Sequence, residues 1–249
     1  MGIIGGEIGY RLLRKIGLQE SRMDGSVYLN KSKLETLLGN SIWQQISGKT
    51  VIDFGCGAGV EVVEMAKNGA SRVIGVDIQE KYLQIGREHA EKAGVAERCR
   101  FTTFPDEYAD AIVAIDSFEH FADPQAILLD MRRMLKPGGF VLAAFGPTWY
   151  HPLGGHLFST FPWAHLLFTE KALIRWRSDF IADGAENFGE VEGGLNQMTI
   201  RKFERIVEQS PFRFESLEAV PIRNLRFVAN RLTREFTTAI VRSKLIPRN

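Results

Sequence analysis

Three glycines on alternate positions, Gly55, Gly57 and Gly59, follow the apolar run Val51-Ile52-Asp53-Phe54 and precede Val60 and an apolar-periodic stretch. The pattern predicts a strand, a turn and a helix. Glycine suits a turn whose backbone takes unusual dihedrals or lies close against a ligand. Two features narrow that ligand. The dinucleotide fingerprint G-x-G-x-x-G/A needs a small residue at position 60, where this chain has valine. Asp53 puts negative charge beside the turn, which disfavours a phosphate there. The turn suits a ligand with a cationic or zwitterionic end and no phosphates.

The other side chains with chemistry to offer are histidines. His120 follows Asp116-Ser117-Phe118-Glu119 at the end of an apolar run. It is a candidate general base, because an unperturbed imidazole titrates near neutrality. The alternative, that Glu119-His120 orders the loop without moving protons, stays open. His151 and His156 fall among glycines and prolines and read as catalytic candidates in a shaped loop. His165, beside Trp163 and Leu166, reads as structural. Spacings of five and nine do not match H-E-x-x-H, and no metal site is expected.

The elements that must position these groups are legible as a rhythm. Residues 1–47 read as a helical lead-in, with Leu34, Leu37, Leu38, Ile42 and Ile46 on one face. From Gly48 the chain alternates strand 50–54, helix 59–67, strand 72–77, helix 79–93, strand 99–104, strand 110–115, a helix from Pro124 to Leu135, and strand 140–145. Asp123 can cap the last helix and Pro124 suits its first turn. The near-continuous apolar strands predict a parallel sheet covered on both faces. Residues 147–198 are too long for a plain loop and too aromatic for disorder. They predict a lid over the substrate, with one amphipathic helix from about 163 to 177. Thr199 can cap a final helix, followed by strands 212–220 and 235–244.

In this order, five segments resemble the class I S-adenosylmethionine-dependent methyltransferases. They are Asp53-x-Gly55-x-Gly57-x-Gly59, Val73-Ile74-Gly75-Val76-Asp77-Ile78, Ala109 to Asp116, Ser117-Phe118-Glu119-His120, and Leu135-Lys136-Pro137-Gly138-Gly139. Together they cover residues 48–146. The resemblance implies a doubly wound, mostly parallel seven-stranded sheet (a Rossmann-like α/β fold) with the lid inserted after the fifth strand. It implies one domain over 1–249, with a cofactor-binding core at 48–146 and a last helix and antiparallel strand pair at 199–249. The implied cofactor is S-adenosyl-L-methionine, with S-adenosyl-L-homocysteine as product. Asp53, Gly55, Cys56, Gly57 and Gly59 would hold its methionine end. Asp77 would take the ribose hydroxyls with Ile78 beside it, and Ile115 and Asp116 would complete the floor. The segment Phe101-Thr102-Thr103-Phe104 lacks the acid that many members use for the adenine amino group. Thr103 or Asp106, or backbone groups, must substitute, and Phe104 either stacks on the base or takes a core position.

The implied activity is methylation of a small molecule, with oxygen favoured as acceptor because histidines are available as bases. A cofactor-binding member without chemistry and a nucleotide-dependent oxidoreductase are the alternatives. Composition agrees with a globular enzyme. A net charge of +1 over 249 residues gives no steering toward nucleic acid. No run is long enough for a membrane span. The two cysteines form no metal pattern and fit a reducing, cytoplasmic setting. Arginines accumulate after Pro221; an anionic substrate, a phosphate-bearing carrier or a membrane surface would suit them, and a solvated face is the expectation. The apolar face of 163–176 is expected to pack on the chain's own core rather than touch a membrane. The acceptor and the oligomeric state are left open.

Overall fold

Short apolar runs become adjacent strands in the computed structural model, which describes residues 2–16, 31–155, 158, 161–191 and 194–248. Strands β1 (Thr50–Phe54), β2 (Arg72–Val76), β3 (Cys99–Thr102), β4 (Ala109–Ile115) and β5 (Leu135–Phe145) pair in parallel. Strands β6 (Phe212–Pro221) and β7 (Thr238–Pro247) pair antiparallel, and β7 joins the edge of β5 the same way. The seven-stranded order is β3-β2-β1-β4-β5-β7-β6. Strand order reverses between β1 and β4, and ligands of open α/β sheets bind outside the carboxyl ends at such a switch point.

The helices are α1 (Gly6–Ile16), α2 (Lys33–Leu38), α3 (Ile42–Ile46), α4 (Val60–Lys67), α5 (Glu80–Lys92), α6 (Pro124–Met134), α7 (Ala164–Leu167), α8 (Glu170–Arg177), α9 (Ile200–Glu208) and α10 (Arg234–Thr237). Both faces of the sheet are covered. Leu34, Leu37, Ile42 and Ile46 join Val62, Met65 and Leu83 on one face. Leu128 and Met131 from α6 and Phe203 and Val207 from α9 pack on the other. The caps act as the sequence suggests. Asp123 accepts from the amides of Gln125 and Ala126, and Thr199 from that of Lys202.

Several boundaries differ from the sequence reading. Strand β3 ends at Thr102 rather than 104. Strand β5 begins at Leu135, which pairs with Ala109. Phe140 pairs with Ala111, so 136–139 stand out as a bulge, with Lys136 Nζ 3.0 Å from both oxygens of Asp110. The last strand starts at Thr238, because residues 234–237 form α10. The single helix expected over 163–177 is two. The chain breaks at Phe168, which bridges to Ile4, and Thr169 then caps α8.

That break ties the N-terminus to the insertion. The amides of Ile3 and Ile4 donate to the carbonyl of Leu167, and the amide of Thr169 donates to that of Ile4. Leu13 of α1 joins Trp149, Phe158, Phe168, Leu173, Trp176 and Phe188 in a third apolar cluster, separate from the two sheet faces. The insertion therefore has its own core, completed by a helix from the other end of the sequence.

Candidate active site

The glycine turn is fixed by β2. The amides of Gly55 and Cys56 donate to the carbonyl of Val76, and the amide of Gly57 donates to Asp77 Oδ2 at 3.0 Å. Asp77 Oδ1 accepts from the amide of Gln79. One carboxylate thus clamps the turn to the start of α5, and the second lone pair on each oxygen remains to accept further bonds. Gly59 has φ +72°, and a Cβ on it would lie 2.5 Å from the ring of Phe101. A Cβ on Gly57 (φ +48°) would meet nothing within 4 Å, so that side of the turn is open.

Around this opening lie acids whose partners are incomplete. Asp53 is buried, and its Oδ2, like the other unpartnered atoms here, has no hydrogen-bond partner among the described residues. Burial first, then the nearby charges of Glu61 and Asp77, push its carboxyl well above the usual range. Asp116 follows β4 with φ +47°, its amide bonded to the carbonyl of Ala144. Its Oδ1 is unpartnered and its Oδ2 lies 3.0 Å from Lys33 Nζ. Burial raises this carboxyl too, against the charge of Lys33. Glu119 is buried and pushed up to about 8, by burial and then by the Asp116 charge. Ser117 Oγ and Glu119 Oε2 are likewise unpartnered. A cationic group among these acids would satisfy the orphaned oxygens and draw the carboxyls back down.

The histidines separate by what their ring nitrogens face. His120 Nδ1 lies 2.7 Å from the carbonyl oxygen of Gly194, in the insertion. A carbonyl only accepts, so Nδ1 carries the proton and Nε2 is the accepting nitrogen. His151 is the reverse. Its Nδ1 accepts from the amide of Leu153, so in the neutral ring Nε2 carries the proton. Burial, then the charge of His165, lowers it to about 4. His165 is buried against Trp149, with Nε2 at 2.5 Å from that residue's carbonyl. His156 lies outside the described residues.

The structure brings together Asp53, Gly55, Gly57, Gly59, Asp77, Asp116 and His120 at the carboxyl ends of β1, β2 and β4. Ile115 and Cys56 are buried beneath them. Cys56 Sγ packs within 2.9 Å of where a Cβ on Gly75 would stand, so it supports the turn from below. Ile78 is 90% exposed, an apolar side chain with no packing role in the fold. Thr103 is exposed just past β3. Two candidates for the adenine end have other neighbours in the fold. Asp106 is held by Arg100 at 2.5 Å. Phe104, largely exposed, lines a cavity with Asp130, Arg133 and Met134 of α6. The residue missed by sequence reading is Lys33. Ser32, a helix-cap residue three positions before Glu35, marks the start of α2, but nothing local says that Lys33 reaches Asp116.

The switch point, the clamped turn and the ring of unsatisfied acids define a class I S-adenosylmethionine-dependent methyltransferase domain. Comparison agrees: residues 52–143 match a family described as "Methyltransferase domain". A "Ubiquinone biosynthesis O-methyltransferase" of Dinoroseobacter shibae is 38% identical over 102 residues, 39% of this chain and 41% of that protein. A "Ribosomal protein L11 methyltransferase" of Photobacterium profundum is 35% identical over 97 residues, 39% of this chain and 33% of that protein. The chain spans less than half the length of these curated relatives. An S-adenosylmethionine-dependent methyltransferase from Mesorhizobium loti shares the fold, with TM-score 0.52 and 16% identity over 82% of this chain and 93% of that one.

The residues present fit the cofactor. The open side of Gly57 would admit it, the oxygens of Asp53 and Asp116 left unpartnered among the described residues would suit its ammonium group, and Asp77 and the bare Ile78 would suit its nucleoside.

Proposed function

We propose that the protein methylates an oxygen of a small molecule, with His120 as general base and the insertion as a lid over the acceptor. When bound, the cofactor supplies an electrophilic methyl on a sulfonium, and its in-line displacement leaves a neutral thioether. This chain must align the acceptor and take up one proton. Alignment alone is worth about 7–11 kcal/mol of the barrier. The acceptor hydroxyl forms the new C–O bond and passes its proton to His120 Nε2.

The observation that carries this reading is the His120–Gly194 hydrogen bond. It orients the ring, fixes the tautomer, and makes the lid itself the group that prepares the base. The lid also bonds the loop after β4 through Asn196, whose amide nitrogen Nδ2 donates to the carbonyls of Phe118 and Phe121. His151 serves better as a donor to the acceptor than as a base. The oxidoreductase alternative loses support from Val60, which stands where the dinucleotide fingerprint needs a small residue. Free Cys56 and Cys99 support a reducing, cytoplasmic setting.

The test pairs calorimetry of S-adenosylhomocysteine with methyl-labelled S-adenosylmethionine and a panel of phenols, enols, carboxylates and amines. Label in a hydroxyl-bearing acceptor is the expected result. Label confined to amines overturns the oxygen assignment, and binding without transfer to any acceptor or to a metabolite extract favours the non-catalytic alternative.

A further inference from the structure

The connection from β6 to β7, residues 222–237, carries large apolar side chains that the fold does not use. Phe227 is 85% exposed and Leu232 88% exposed, and Val228 and Phe236 are exposed beside them. Arginines interleave with them. Arg223, Arg226 and Arg231 are exposed and make no ion pair among the described residues. Arg234 is paired with Glu204 at 2.6 Å. The one acid in the stretch, Glu235, is buried and accepts from the amides of Ile200 and Arg201 at the start of α9. Its charge is turned inward, so the outer face is apolar and uniformly basic.

The position of this face matters. Strand β7 runs antiparallel to β5, with Val241 opposite Phe145, so the connection ends at the carboxyl edge of the sheet, where the candidate site opens. It is continuous with the lid. The Phe236 and Tyr150 rings are 5.1 Å apart, and the carbonyl of Tyr150 accepts from the indole of the partly exposed Trp163.

We infer that residues 222–237 form a docking surface for an anionic lipid bilayer, with Phe227 and Leu232 inserting at the interface and Arg223, Arg226 and Arg231 meeting lipid phosphates. Exposed aromatic and aliphatic side chains flanked by arginine suit the headgroup boundary. Unpaired arginines without acids suit a negative surface rather than a zwitterionic one. The surface stands apart from the proposed reaction. A consequence that does rest on that reaction is that an amphiphilic acceptor would reach the site from the bilayer edge.

The experiment is co-sedimentation of the full chain with phosphatidylglycerol–phosphatidylcholine vesicles and with pure phosphatidylcholine vesicles. Binding to the first, much weaker binding to the second, and release by salt are expected. Arg226→Gln and Arg231→Gln should each weaken partitioning about fivefold, and Phe227→Ser/Leu232→Ser should reduce it further. Unchanged S-adenosylhomocysteine affinity in each variant shows that the fold and cofactor site are intact. Vesicle binding needs no turnover, so failure here and failure of the methyl-transfer reading are separate results. Wild-type protein left in the supernatant, or equal binding by the double variant, overturns the proposal. A concentration-dependent dimer abolished by Phe227→Ser/Leu232→Ser, without vesicle binding, also overturns it and assigns the face to a second copy.

Discussion

Lys33 Nζ lies 3.0 Å from Asp116 Oδ2, so the helical lead-in places a cation against the carboxylate that follows β4. Both side chains are about one quarter exposed, 28% and 24%. The pair makes the N-terminal segment part of the site rather than a covering of it.

Lys33→Met should leave Asp116 without its cation. Burial already raises that carboxyl, and loss of Lys33 should raise it further. A charge-assisted hydrogen bond of this kind is worth about 1.5–3 kcal/mol. The expected result is lower thermal stability above neutrality and weaker S-adenosylhomocysteine binding by calorimetry. An affinity and melting temperature equal to wild type would show that the pair is only a surface contact.

Asp77→Ala removes two anchors at once, those to Gly57 and Gln79. If Asp77 also takes the ribose hydroxyls, affinity for S-adenosylhomocysteine should fall by about 1.5–3 kcal/mol, and adenosine alone should lose affinity as well. Retained adenosine affinity would restrict Asp77 to holding the turn.

His120→Ala should reduce turnover by at least about 10²-fold with little change in cofactor affinity, as expected for loss of a general base. His120→Gln, whose amide can still donate to Gly194, should preserve folding but not turnover. His151→Ala should reduce turnover less than His120→Ala, because its Nδ1 is committed to Leu153 and burial lowers it to about 4. A larger loss at His151 would reverse the assignment of the base.

Glu119 gives a pH signature of stability. Its carboxyl has an ordinary value of 4.5 and is pushed up to about 8 in the folded chain. Below pH 4.5 both folded and unfolded chains hold the proton. Between 4.5 and 8 the unfolded chain has released a proton that the folded chain keeps, so stability falls as pH rises. Above 8 both are ionised and the slope from this group ends. Melting temperature followed across this range should decline less in Glu119→Gln, which cannot ionise. Parallel curves for the two proteins would mean that Glu119 is already ionised in the folded state.

Much of the scaffold was legible in the sequence because its causes are local. Strands buried on both faces must be apolar throughout, so β1, β2 and β4 stand out, and glycines at positive φ mark the turn after β1. Asp123 and Thr199 announce helix starts through bonds to amides two or three residues on, and Pro124 through its fixed φ in the first turn. The acids Asp53, Asp77 and Asp116 sit at strand ends, and strand ends are read directly from the pattern.

Tertiary structure decided what depends on distant partners. The pairing of Ile4 with Phe168 splits the expected lid helix, and no periodicity within 163–177 encodes a bridge to the N-terminus. The loop after β3 sets Phe104 beside Asp130, Arg133 and Met134 of α6, neighbours that nothing near Phe104 in the sequence announces. Lys33 reaches Asp116 only once α2 has packed on the sheet. The choice between His120 and His151 rests on which nitrogen meets a carbonyl and which meets an amide. The sequence by itself determined the residue types and the order of strands that bring them to one edge. Folding decided the protonation and pairing of those residues, because a carboxyl's charge and a ring's tautomer are set by burial and by neighbours far away along the chain.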